Sequence, residues 1–251
     1  DGVCFDVQGG LHLNGSPGQR ISVRPDPLPS ARRSYYGQSG YWGSIMADGP
    51  TDSLVIRYTD LRGGSFGRDR ERHFSSISTY DCPLRVEHST ISEGKAPLIA
   101  RGGSAYIGHS EFHTFLPCNG FISLYDMDAP LIEHCIFRGN RAINTDGIDI
   151  KGVTNGIVRH NEVYGFLGSN CDGIDLGIYT LNNLIEHNII HDCSDKGISI
   201  GSQSSALVRR NVIYDCDLGV AVKDSFAVAQ IDQNTFYGNR QAVACYEKSA
   251  L

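Results

Sequence analysis

The chain is predicted to be all-β, a solenoid of about nine or ten coils, and three observations predict it. The segments Asp146-Gly-Ile-Asp-Ile150, Asp172-Gly-Ile-Asp-Leu176, Lys196-Gly-Ile-Ser-Ile200 and Leu218-Gly-Val-Ala-Val222 are near copies, with glycines 26, 24 and 22 residues apart. A period in the low twenties with one short apolar strand per copy is too short for a helix pair and suits one coil. A second register is independent of the first. Thr59, Ser89, Ser110, Cys135, Asn161, Asn188, Asn211 and Asn234 each follow an aliphatic by three residues, as in Ile56, Val158 and Ile185, and precede another large apolar residue by two, as in Leu61, Val163 and Ile190. Finally, 29 glycines in 251 residues and the lack of helical periodicity leave strands punctuated by Gly, Asn, Asp and Ser.

Taken in order, residues 1–251 form a single β-helix domain, with N-terminal coils and a Pro/Tyr-rich loop in 1–53 and regular coils in 54–251. Coils that touch only their neighbours extend without a second core, giving a rod somewhat over ~40 Å long at about 4.8 Å per coil. The chain opens directly on the strand-like Val3 to Val7, as a processed or excised domain would. Pro25 to Trp42 carries Tyr35, Tyr36, Tyr41 and Trp42. A loop packed on the coil side is favoured there over sugar stacking. The coil from Thr59 to Ser89 is the longest and holds Arg62, Arg68, Arg70, Arg72 and His73, a cationic loop that binds either acidic sugar or a neighbouring loop. In the second register two strands meet at a bend, where Asn tolerates left-handed backbone angles and hydrogen-bonds its copy one coil away, so this column is structural. Just before it stand His88, His109, His134, His160 and His187, then Arg210 and Gln233. A stacked, hydrated imidazole column is favoured over a shared soft cation, because metal sites gather their ligands into a cluster. Val3 to Val7 and Ala242 to Tyr246 are strands without capping helices, so end-to-end self-association, or further domains of a longer chain, is expected to cover their edges.

Composition narrows the partners. A net charge of −6 argues against nucleic acid, which needs a basic face. No stretch has the length or apolarity of a membrane span. The eight cysteines follow the coil spacing, not that of a metal knuckle. Cys193 and Cys216 stack within disulfide reach, while Cys135 and Cys245 take small apolar positions in the interior.

The residues that bear chemistry lie on the repeated strand. Ile148 and Ile150 point inward, so Asp149 points out, with Asp175 over it on the next coil. Asp146 and Asp172 form a parallel column at the strand entrance. Like charges opposite one another destabilise a sheet, so four such carboxylates need a cation, a shared proton or full hydration. Lys196 continues the column of Asp172, and Lys223 lies in register with Lys151. The alternative is an acidic solvent face that confers solubility and performs no chemistry.

The Gly-Ile-x-Ile strands, the asparagine column and coils of 21 to 30 residues resemble the right-handed parallel β-helix of the pectin-lyase-like superfamily, over residues 54–248. That superfamily includes polysaccharide lyases, glycoside hydrolases, epimerases and non-catalytic surface proteins, so the resemblance implies the fold more firmly than an activity. It implies an extracellular, cell-surface or periplasmic home and an acidic polysaccharide or other glycan as partner. In its lyase form, Asp146, Asp149, Asp172 and Asp175 would hold Ca²⁺ and Lys196 would remove the acidified proton. In its polygalacturonase form, Asn144-Thr145-Asp146, Cys171-Asp172, Asp195-Lys196-Gly197 and Ala221-Val222-Lys223 stand where that family has Asn-Thr-Asp, Asp-Asp, Gly-His-Gly and Arg-Ile-Lys. Asp172 would then be the acid, Asp146 would help activate water, and Lys223 would hold an acidic sugar, with Lys151, Arg68, Arg70 and Arg72 as further substrate contacts. Cys171, Lys196 and Ala221 depart from that pattern. A third form is non-catalytic, since Lys196-Gly-Ile-Ser-Ile and Gly219-Val-Ala-Val-Lys-Asp224 resemble β-helix repeats of bacterial surface proteins.

Overall fold

The structure, a computed structural model, describes residues 3–25 and 41–247. Tyr35 and Tyr36 lie outside the described residues. Three parallel sheets of ten, nine and nine strands wind around one core, and each strand pairs with its equivalent one coil away. The register of the first sheet runs through Ile77, Leu98, Ile122, Ile148, Ile174, Ile198 and Val220, all facing inward. In-register pairing from coil to coil stacks like on like, so Phe112 lies on Phe137 with ring centroids 5.1 Å apart. Each such side chain, withdrawn from water, stabilises the fold by about 1.5–3 kcal/mol.

The repeated glycine has a steric cause. A Cβ at Gly147, Gly173, Gly197 or Gly219 would sit 2.5–2.7 Å from a backbone carbonyl of the following coil. The entrance of the first sheet therefore admits no side chain there.

The corner between the second and third sheets is held by side-chain amides. The backbone N–H of Asn161 donates to Oδ1 of Asn188 at 3.0 Å, and those of Asn188 and Asn211 donate to the next asparagine at 3.0 and 2.9 Å. Each amide nitrogen returns a bond to a carbonyl of the preceding coil, as Asn188 does to Val158 at 2.9 Å. Thr59 and Ser89 donate to hydroxyls in the same way. The left-handed residue is not the asparagine, as expected above, but the one before it. Tyr58, His88, His109, His134, His160, His187, Arg210 and Gln233 have φ between 46° and 56°. This places the asparagine side chain inward, where its bonds are, and turns the histidine outward.

Cys135 is buried in the corner column. Cys193 and Cys216 are buried free thiols. Cys245 is exposed, contrary to expectation. It shares the inward register of Val222, but its strand is the last of the first sheet, so no described coil covers it.

Candidate functional site

The outer face of the first sheet carries three columns. The central one runs through Ser78, Ile99, Ser123, Asp149, Asp175 and Ser199, alternating along each strand with core residues. At the strand entrance stand Asp146, Asp172 and Lys196. At the exit, Tyr80, Arg101, Tyr125 and Lys151 lie in register, and Lys223 pairs with Tyr246 further along. Asp175 therefore does stand over Asp149.

The central column faces away from the core yet all of it but the half-buried Asp175 is dry, with Asp149 only 1% exposed. Long side chains from the exit column close over it. The Tyr125 hydroxyl donates to Asp149 Oδ2 at 3.0 Å and Lys151 Nζ reaches the same oxygen at 3.1 Å. The Lys151 stem lies across Gly177, where a Cβ would meet its Cγ at 2.5 Å. Asp149 Oδ1, Asp175 Oδ1 and Ser199 Oγ are buried without a hydrogen bond. The Lys223 ammonium stands 3.7 Å from Asp175 Oδ1.

At the entrance, Asp146 Oδ1 accepts the backbone N–H of Asp172 at 2.8 Å. Asp172 Oδ1 in turn accepts the backbone N–H of Lys196 at 3.1 Å and its Nζ at 3.3 Å, while Asp195 holds the other side of that ammonium. Burial, then the neighbouring Asp172 and Asp175, push the Asp146 carboxyl up to about 9. Burial also pushes Asp172 up to about 6 although Lys196 opposes it. Asp149 is raised by burial against the pull of Lys151. Burial works against the charge of Lys196, but Asp172 and Asp195 outweigh it and hold the ammonium above its usual value. Lys196 is thus a fixed cation, not the free amine that a base requires.

The structure brings Asp146, Asp149, Asp172, Asp175, Lys151, Lys196 and Lys223 onto one face but does not shape a calcium cage. Asp149 pairs with Lys151, Asp172 with Lys196 and Asp175 with Lys223. Among the described residues no three His, Cys, Asp or Glu side chains gather as ligands for one ion. A Ca²⁺ site takes six to eight oxygens at about 2.3–2.6 Å, and four carboxylates spread over two columns, three of them already facing ammonium groups, do not supply it. The sequence expectation of Ca²⁺ at Asp146, Asp149, Asp172 and Asp175 does not fit this geometry.

The cationic loop lies elsewhere. Arg68 pairs with Asp6, Arg62 pairs with Glu93, and Arg72 stacks 4.0 Å over the Tyr80 ring beside Asp48. Arg70 is exposed on the same turn. Tyr80 stands three strands from Lys151 in the exit column, roughly 14 Å at the usual strand spacing. Trp42 is buried and donates its indole N–H to the Arg62 carbonyl, so it packs rather than presents a sugar platform. Tyr125 was missed. Aligning the strand Gly120–Tyr125 with Asp146–Lys151 places it in register with Lys151 and would have found it.

A family model described as "Right handed beta helix region" matches residues 98–251, more than half of the chain. The chain belongs to the right-handed β-helix family. Among solved structures this β-helix is similar to the periplasmic alginate epimerase AlgG, with 14% identity and a TM-score of 0.52, over 83% of this chain and 57% of that one. The chain thus spans little more than half of that protein. Looser likenesses are the A-module of the Azotobacter vinelandii mannuronan C-5 epimerase AlgE4, at 10% identity and TM-score 0.33 over 97% and 88% of the two chains, and the alginate lyase of Paenibacillus sp. str. FPU-7, at 15% and 0.31 over 98% and 88%. At these identities the likeness is one of fold. No curated protein matches the chain. Among the described residues no helix is long and apolar enough to cross a membrane.

Proposed function

We propose that the protein works outside the cytoplasm on a linear acidic polysaccharide, held along the outer face of the first sheet, and that it removes the proton α to a uronate carboxylate. The observation that carries this is the row of carboxylate–lysine pairs beside a column of cations and aromatics. The fold neighbour AlgG, a periplasmic alginate epimerase, supports the substrate class and the compartment. Lys151 and Lys223 neutralise the substrate carboxylate, which acidifies the adjacent C–H. Asp175, whose Oδ1 has no hydrogen bond, is the acceptor for that proton. The electron pair forms the C4–C5 double bond as the C4–O bond breaks, and the departing oxygen takes its proton from Asp146, which a value near 9 keeps protonated at neutral pH. No step passes through a metal.

Incubation with polyuronates, followed by the absorbance of unsaturated product, tests the reading. Asp175→Asn is expected to lower turnover by at least about a hundredfold while leaving binding intact. The Lys151→Ala and Lys223→Ala double variant is expected to weaken binding about tenfold or more. Product formation unaffected by Asp175→Asn would remove the assignment. Calorimetric titration with Ca²⁺ checks the metal separately, since one site lost in Asp172→Asn would restore the calcium reading.

The burial of Asp149, Asp172 and Lys196 to 5% exposure or less favours a second reading, in which these pairs are structural and the face only binds. Polyuronate binding with no unsaturated product would select it.

A further inference from the structure

The five histidines outside the candidate site form a continuous stack. Consecutive rings from His88 to His187 lie 4.7–5.0 Å apart with planes within 12° of parallel. Tyr58 caps the upper end at 4.6 Å, and Arg210 continues the column below. The left-handed backbone at each histidine keeps the stack outside the barrel, where four of the five are exposed. His134, His160 and His187 line a groove whose other wall is Ile136, Glu162 and Ile189. Among the described residues no hydrogen bond engages the ring nitrogens of these five histidines.

A shared metal is excluded by the stacking itself, because parallel rings send their lone pairs side by side instead of converging on one ion at about 2.0–2.1 Å. Protonation is the remaining chemistry of such a column. On one flank, Glu87, Glu133 and Glu186 are already paired with Arg57 and Arg85, Arg159, and Arg209. On the other, Asp60 is paired with Arg20 and Glu111 with Arg138, and Glu162 faces His191 at 3.7 Å. Arg20 also donates to the His88 carbonyl. With the arginine-paired acids compensated in this way, neutral imidazoles leave Glu162 an unmatched anion on the groove wall, and the stripe gains up to one further cation per coil as pH falls. Burial, then His109 and His160, hold His134 below the usual imidazole value, and imidazolium ions stacked this closely repel one another. Repelling cations at fixed spacing are relieved by anions at a matching spacing.

We propose that the histidine column is a proton-gated binding lane for an acidic polysaccharide strand, on a face of the solenoid separate from the aspartate–lysine site. A uronate polymer fits on two counts. It offers carboxylates at regular intervals to the imidazolium stack, and it offers apolar C–H faces to Ile136 and Ile189. The lane takes the same polymer class as the site proposed above but uses none of its residues, so either assignment can fail alone.

Binding of polygalacturonate measured at about pH 7.5 and about pH 5 tests it, since uronate carboxylates stay ionised while histidine titrates across that range. Wild-type protein is expected to bind about tenfold more tightly at the lower pH, and added salt is expected to erase the gain. His134→Gln, His160→Gln and His187→Gln combined should lose that gain, and glutamine suits the backbone because Gln233 occupies the same column with φ 54°. The Lys151→Ala and Lys223→Ala double variant should bind less at both pH values and keep the gain. A triple variant that tightens like wild type, a wild type that does not tighten, or a gain lost with the two lysines would each overturn the lane. NMR titration of the wild-type imidazoles gives a readout that needs no variant: the polymer must raise their pKa values, and unchanged values refute the proposal.

Discussion

Asn188→Leu is expected to destabilise the protein by about 2–4 kcal/mol, lowering the melting temperature by about 5–15 °C. Asn188 is buried, and its Oδ1 accepts both the backbone N–H and the side-chain amide of Asn161 at 3.0 Å. Its own amide donates to the Val158 carbonyl and to Asn211. Leucine nearly matches its size but meets none of these demands, so donors on one coil and a carbonyl on another are left dry and unpaired, at about 1–3 kcal/mol each. Asn234→Leu should cost less than half as much, because that position is only half-buried. Denaturant melts of the two variants decide the matter, and equal losses would show that desolvated hydrogen bonds are not what the corner depends on.

The second large effect is a pH dependence of unusual sign. Asp146 and Asp172 titrate near 9 and 6 in the folded chain against a usual 3.8, so the folded state holds their protons more tightly than the unfolded state. The stability tied to them is complete below the unfolded value and is lost as pH rises through 6 and then 9. Lys196, held above its usual 10.5, adds stability that persists through this whole window. Melting temperature is therefore expected to fall between about pH 7 and pH 9.5, and Asp146→Asn should flatten that fall while matching or exceeding the wild type at the alkaline end. A fall of equal size in both proteins would show that Asp146 does not titrate there.

These expectations rest on features of unequal legibility. The solenoid, the inward isoleucines and the stacking of Asp175 on Asp149 follow from period alone, since a strand fixes side-chain direction and a repeat fixes register. The dryness of Asp149 does not follow. Alternation places it outward, but whether an outward residue meets water depends on Tyr125 and Lys151 folding over it, and those contacts are set by side-chain conformations that leave no periodic mark. For the same reason the lysines were countable while their pairing was not. Four carboxylates in two columns suggested an ion, and the column arithmetic did not show that three of them, Asp149, Asp172 and Asp175, would each face its own ammonium group. The bend was located correctly, but the left-handed angle was given to Asn161 and its equivalents. Asparagine is common in that region, and the spacing that reveals the histidine column does not reveal that the left-handed angle belongs to it, where Arg210 and Gln233 hold it as well.

The amide column at the corner also has a direction. In every pair from Thr59–Ser89 to Asn211–Asn234 for which a bond is formed, the backbone donor belongs to the earlier coil and the side-chain acceptor to the later one. The column is thus a vector, like a strand of a polymer with distinct head and tail. A duplicated coil spliced in head-to-tail continues it without adjustment, whereas a coil inverted end for end would present donor to donor. Lengthening this rod by tandem duplication is therefore chemically cheap, because a copied coil brings its own entrance glycine and inward aliphatics, and at the corner it needs only one small acceptor side chain.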